Sequence, residues 1–140
     1  ASMARKALEA LGLTVEEFTC ADGTEVQAVA QSAVSKVDAL YVPTDNLMAD
    51  TIATIAMVCT PAGIPIICGE ENMVNGGGTA TYGISYYQLG VQTGEQAIKI
   101  LSEGANIAEM PIEYCNADLT LVVNEEALSQ LGLTKPDSVQ

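Results

Sequence analysis

Apolar residues in this chain recur at two different spacings, and the alternation between them predicts the fold. Val26, Val29, Ala30 and Ala33 recur at three- and four-residue intervals, the stripe of a helix resting on a core. The nearly unbroken apolar run DALYVP follows at 38–43. Helical spacing returns over roughly 47–60, and Gly63 and Pro65 punctuate its end. IPIICG at 64–69 is a second short apolar run. Short unbroken runs between amphipathic helices read as strands covered on both faces. Strand and helix in alternation predict right-handed βαβ crossovers and a parallel α/β sheet with helices on both sides, a three-layer architecture.

The rest of the chain extends this order. Residues 1–12 have the pattern of a helix ended by Gly12, and TVEEFTC at 14–20 that of a short strand. Asp22 or Thr24 is placed to cap the helix carrying the Val26 stripe, with Glu25 three positions after Asp22 as a capping box requires. EENMVNGGG at 70–78 reads as a polar, glycine-rich loop whose glycines serve turn flexibility, and TATYGIS at 79–85 as extended. A long helix over 86–104 carries Leu89, Thr93, Ala97 and Ile100 near one face and ends at Gly104. MPIEY at 110–114 and LTLVVN at 119–124 read as two final strands. Asn124 caps a short helix over 124–132, and the tail LTKPDSVQ frays at its end.

Composition narrows the function. With 49% hydrophobic and 16% charged residues in 140, the chain can bury one domain-sized core. Five basic residues against eighteen acidic ones give a net charge of −13, which disfavours nucleic acid and anionic membrane surfaces as partners. The absence of histidine removes histidine acid–base catalysis and histidine metal ligation. Cys20, Cys59, Cys68 and Cys115 lack the close spacing of a zinc site; Cys59 and Cys68, in apolar contexts, are expected to be buried thiols rather than part of a disulfide framework. Cys115 has no basic neighbour to activate it as a nucleophile. Neither GxGxxG nor a P-loop lysine accompanies the NGGG run at 75–78, so no cofactor is expected. No 18-residue apolar span appears.

What remains is a pair of polar strand ends. In open α/β sheets ligands bind beyond the carboxyl ends of the strands. One strand ends in Pro43-Thr44-Asp45-Asn46 and the other in Gly69-Glu70-Glu71-Asn72. As sheet neighbours they would share one crevice, where Asp45 and one of Glu70 and Glu71 receive an ammonium or polar donors. Thr44, Asn46 and Asn72 would add hydrogen bonds, and the amides opening the next helix would favour a carboxylate. The structural alternatives stand beside this: Asp45 or Asn46 as a plain helix cap, Glu70 and Glu71 as solvated loop acids, and Tyr82, Tyr86 and Tyr87 as either packing or cleft residues.

The same segments carry a family resemblance. VDALYVPTDN at 37–46, GIPIICGEENMVNGGGTATYGISYYQLGVQTGEQAIKIL at 63–101 and the closing MPIEY and LTLVVNEEALSQLGL resemble the substrate-binding proteins of bacterial ABC transporters. The likeness is to the tryptophan/tyrosine group with the type I periplasmic-binding fold. The resemblance implies a two-lobed, non-enzymatic receptor that clamps a small solute such as an aromatic amino acid. It would deliver that solute to an ABC permease outside the cytoplasm, in the periplasm or as a lipid-anchored lipoprotein.

On this pattern 1–78 is the second lobe without its first strand, 79–107 a crossing segment and helix of the first lobe, and 108–140 the return to the second. A chain so truncated is expected to self-associate. The resemblance implies that Thr44, Asp45, Asn46, Glu70 and Glu71 lie at the cleft, with Ser85 and Tyr86 near the hinge or ligand. Two other readings stay open at this stage: an intracellular ligand-sensing regulatory domain of the same fold, and an α/β cofactor-dependent enzyme.

Overall fold

A computed structural model describes residues 2–115 and 119–135; the end of the tail, at 136–140, lies outside them. The chain runs through α1 (Ser2–Ala10), α2 (Val26–Ala33), β1 (Leu40–Val42), α3 (Asn46–Cys59), β2 (Ile66–Cys68) and α4 (Glu71–Asn75). It continues through β3 (Ala80–Gly83), α5 (Tyr86–Leu101), a 3-10 turn (Ile107–Glu109), β4 (Thr120–Val123) and α6 (Glu125–Leu131). The four strands form one sheet in the order β1-β2-β3-β4. β1 and β2 are parallel, with Leu40 opposite Ile66 and Val42 opposite Cys68. β3 runs parallel to β2 and antiparallel to β4, with Gly83 opposite Thr120.

This is the α/β sheet expected from the alternation of apolar spacings. Its core lies between the β1–β2 pair and helices α2, α3 and α4. Cys59, Ile66, Met73 and Val74 are wholly enclosed, and Val26, Val42, Ile52, Ile55 and Cys68 pack with them. The two thiols expected to be buried are buried, and all four cysteines are free. Burial, with a smaller contribution from the Glu70 charge, pushes the Cys68 thiol up to about 12, so it is an inert core group.

Three segments differ from expectation. Residues 14–20 form no strand. No backbone-to-backbone hydrogen bond joins them to the sheet among the described residues. Their acids are instead drawn to nearby cations: Glu17 to Arg5 of α1 at 3.0 Å and Glu16 to Lys36, in the turn after α2, at 3.4 Å. Phe18 and Cys20 line an apolar groove against α2 and β1. Residues 110–114 also form no strand. Gln92 Nε2 on α5 donates to the Tyr114 carbonyl at 2.9 Å and to Glu113 at 3.2 Å, so this arm is tied to the helix rather than to the sheet.

The third difference is 70–78, where a polar loop was expected and the structure has α4. Met73 and Val74 are among the most deeply buried side chains of the molecule. Gly76 and Gly78 serve close packing, while Gly77, at φ 126, takes the turn conformation expected of a glycine run. A Cβ at Gly76 would lie 2.6 Å from Ile52, and one at Gly78 only 2.1 Å from the Cys68 sulfur.

β2 and β3 share only one register pair because a side chain replaces a rung. Thr79 Oγ1 accepts from the Ile66 amide at 2.9 Å, while the Thr79 amide donates to the Ile66 carbonyl at 2.8 Å. α6 starts at the cap expected from sequence: Asn124 Oδ1 accepts from the Ala127 amide at 3.0 Å. Its Nδ2 donates to the Val74 carbonyl at 3.2 Å and ties α6 to α4. At the far end Gly132, at φ 67, closes α6 in the left-handed conformation that glycine adopts without steric cost.

Candidate functional site

Parallel strands bring their carboxyl ends to one edge of a sheet, and here three turns meet along that edge. They join β1 to α3, β2 to α4 and β3 to α5. The first two are pressed together: a Cβ on Gly69 would sit 2.5 Å from the Thr44 amide nitrogen and 2.6 Å from its hydroxyl oxygen. Only glycine permits that approach. The polar strand ends singled out in the sequence therefore share one rim.

Each turn is fixed by a cap. Asp45, exposed and with extended backbone, accepts from the Met48 amide through Oδ1 at 3.1 Å and starts α3. Its other carboxylate oxygen accepts no hydrogen bond among the described residues. Thr44 and Asn46 are exposed beside it. Glu70 is only 7% exposed, and both its oxygens are occupied: Oε1 by the Met73 amide and Oε2 by the Asn72 amide, each at 2.8 Å. A carboxylate so engaged holds α4 in place.

Glu71 is exposed at the mouth of a pocket of about 110 Å³. Ser85 Oγ accepts from the Gln88 amide at 3.4 Å, caps α5 and lines the same pocket. Tyr86 opens α5 and is 43% exposed; Tyr82 and Tyr87 are more exposed still.

The rim thus gathers Thr44, Asp45 and Asn46 with Glu70 and Glu71, and places Ser85 and Tyr86 on the third turn. It divides the two expected acids between them: Glu70 is built into the fold, while Glu71 is open. Sequence reading missed Thr81 of β3, which lines the Glu71 pocket, and Thr120 on β4 across from Gly83. The signal was present in the alternation of TATYG, where Thr79, Thr81 and Gly83 fall on one face of a strand. Among the described residues no group of three or more histidine, cysteine or acidic side chains is arranged to hold a metal.

Open α/β sheets bind ligands beyond the carboxyl ends of their parallel strands, where this sheet has its polar rim. The particular family follows from comparison: the chain belongs to the ABC transporter substrate binding proteins, whose family model matches residues 1–140. It is 36% identical over 121 residues to a tyrosine-binding protein of Clostridioides difficile (strain R20291), covering 86% of this chain and 34% of that one.

Among solved structures it is similar to an ABC domain in complex with L-Trp from Streptococcus pneumonia, at 33% identity and a TM-score of 0.86. That match covers 99% of this chain and 46% of the other. It is also similar to a ligand-free, open substrate binding protein with adhesive properties from Clostridium difficile. There the identity is 37% and the TM-score 0.77, covering 97% of this chain and 45% of that one. The chain spans about a third of the curated relative and just under half of the solved ones. Membership of a substrate-binding family accords with a rim that offers hydrogen bonds and charge. Among the described residues no helix is long and apolar enough to cross a membrane.

Proposed function

We propose that this chain forms one wall of a cleft that binds a small amino acid, aromatic ones included, without bond chemistry, for delivery to an ABC permease outside the cytoplasm. The observation that carries the reading is the meeting of three capped turns on one rim, with Thr44, Asp45, Asn46, Glu71, Ser85 and Tyr86 facing the same edge. Glu70 supports the rim from below by holding α4. The choice of ligand class is supported by a tyrosine-binding relative and by a structural neighbour in complex with L-Trp. A regulatory domain of the same fold and a cofactor-dependent enzyme have no such support.

The domain organisation we propose treats the β1–β2–β3–β4 sheet and its helices as one lobe, and the crossing segment with α5 as part of the opposite lobe. Of the sixteen residues of α5 only Gln92 is buried, and Tyr87, Ile98 and Leu101 are widely exposed. An apolar helix with this little cover suits a partner surface supplied by further chain. Within the proposed return at 108–140, Glu113 and Tyr114 are still tied to α5, and the chain rejoins the sheet at β4. At the other end of the sheet, the groove beside Phe18 lies along the unpaired edge of β1. Leu40 and Val42 turn their backbone groups to β2, which leaves the Tyr41 amide facing the groove. That edge suits the first strand of the lobe.

Ligand binding in such a receptor favours the state in which both lobes touch the solute, so binding and closure are one equilibrium. Titration calorimetry with L-tyrosine and L-tryptophan tests the reading. The full polypeptide encoded by the gene should bind at least one of them, and the 140-residue chain alone should bind at least about tenfold more weakly. Equally tight binding by the 140-residue chain would contradict the two-walled cleft, and no binding by the full polypeptide would contradict the ligand class.

A further inference from the structure

One face of the sheet is packed and the other is bare. Val42, Ile66 and Cys68 are buried under α2, α3 and α4. Tyr41 and Ile67, paired in register, alternate to the opposite face. Tyr82 joins them there, two positions beyond the Ala80 that pairs with Ile67. Ile67 is 41% exposed although its strand lies inside the sheet, and Tyr41 and Tyr82 are more exposed still. Parallel strands are ordinarily covered on both faces, and an exposed apolar band of this kind marks a docking surface.

α1 has the complementary defect. Ser2, Arg5, Lys6 and Glu9 fall along one side of it, Met3, Ala7 and Ala10 along the other. Yet it buries no residue, and Met3 is 84% exposed. A nine-residue helix without cover has little stability of its own. The exposed Arg5–Glu17 pair contributes little to holding it in its present place.

Crossover handedness brings the two together. The groove along the free edge of β1 is lined by Phe18 and Cys20 as well as by α2 and α3. A strand laid in it, as in the proposed lobe, would stand between β1 and 14–20. The observed crossovers, α3 from β1 to β2 and α4 from β2 to β3, advance in one direction across the sheet and lie on its packed face. α2, leading from 14–20 to β1, advances the same way and lies there too. A connection from the groove strand through α1 out to 14–20 advances the opposite way. Right-handedness, kept by about 98% of such connections, then puts α1 on the opposite face.

We infer that α1 docks on the bare sheet face, setting Met3, Ala7 and Ala10 against Tyr41, Ile67 and Tyr82, when a strand fills the groove. The segment 14–20 then pairs with that strand as the new edge of the sheet. The inference rests on the lobe reading and adds to it the place of α1 and the occupant of the bare face. One missing element thereby accounts for an uncovered sheet, an unburied helix and a strand-like segment without pairing.

The test is nuclear magnetic resonance on the full polypeptide. Wild type should show nuclear Overhauser contacts from Met3 and the Ala7 methyl to the Ile67 methyls and to the Tyr41 or Tyr82 ring. The Tyr41 amide, bonded to the strand in the groove, should exchange at least about tenfold more slowly than a solvent-facing amide. Ile67→Lys should unfold at a lower urea concentration than wild type and Ile67→Leu close to it, whereas an Ile67 left exposed would tolerate both. Absence of the α1 contacts while the Tyr41 amide is protected, or an Ile67→Lys variant as stable as wild type, overturns the docking and leaves the lobe reading intact. An unprotected Tyr41 amide overturns both. Should Ile67→Lys fail to fold, the wild-type contacts decide alone.

Discussion

The sheet half of this molecule and its α5 arm contain similar apolar residues and put them to opposite use. In the first, Ile66, Met73, Val74 and Cys59 are sealed between β2, α3 and α4. In the second, α5 buries only Gln92, and 111–115 is held to it by polar contacts: the Gln92 bonds and a Lys99–Glu113 pair at 3.7 Å. Amphipathic periodicity alone thus does not make a core. A stripe becomes one only where another element covers it, and helix stability in proteins comes mainly from that cover. The β3–α5 turn of the proposed rim lies where the close-packed half hands over to the exposed one.

Substitutions in the packed half should give the largest effects. Ile66→Ala leaves a cavity in the most enclosed part of the core and should cost about 3 kcal/mol by urea denaturation; a loss under about 1 kcal/mol would mean that the β2 layer is loose. Next comes Glu70→Ala, which strips two amide bonds from a buried cap. We expect a loss of about 2 kcal/mol, with faster amide exchange at Asn72 and Met73. Asp45→Ala removes a single, exposed cap bond and should cost about 1 kcal/mol.

On α5 the same chemistry should register weakly. Leu101→Ala, at a position 83% exposed, should shift stability by less than about 0.5 kcal/mol. The 140-residue chain, with this face open, should sediment above its monomer mass at high concentration; a compact monomer throughout would argue that α5 needs no partner. The smallest effect is electrostatic. Hydrogen bonds from Gln92 and Gln96, and then the Lys99 charge, hold the Glu113 carboxyl below its ordinary value. A lowered carboxylate stabilises the fold above its unfolded pKa and loses that contribution as pH falls through the folded one. The arm should therefore loosen only at pH below the usual carboxylate range, visible as rising amide exchange at 111–115.

Much of the packed half was legible because its signals are local. DALYV and IPIIC announce strands by unbroken apolar runs, and Asp45 and Asn124 announce helices as caps. α4 was hidden because five residues give too little periodicity to outweigh a glycine run, although the burial of Met73 and Val74 depends on Glu70 starting that turn. The segments 14–20 and 110–114 have strand-like sequences without strand pairing; pairing is a property of the neighbour, which no local pattern encodes. At the site, the convergence of the two acidic turns could be read from the fold rule for parallel sheets. The division of labour between Glu70 and Glu71 could not, since it depends on which carboxylate meets the α4 amides.

The central claim is that the carboxyl-end rim of β1, β2 and β3 grips the ligand. The most direct measurement is amide chemical-shift mapping on the full polypeptide during titration with L-tryptophan and L-tyrosine. The expected result is a set of shifts concentrated at 44–46, 69–71, 81 and 83–86. Shifts confined to the groove beside Phe18, or to the opposite ends of the strands near Leu40 and Ile66, would contradict it.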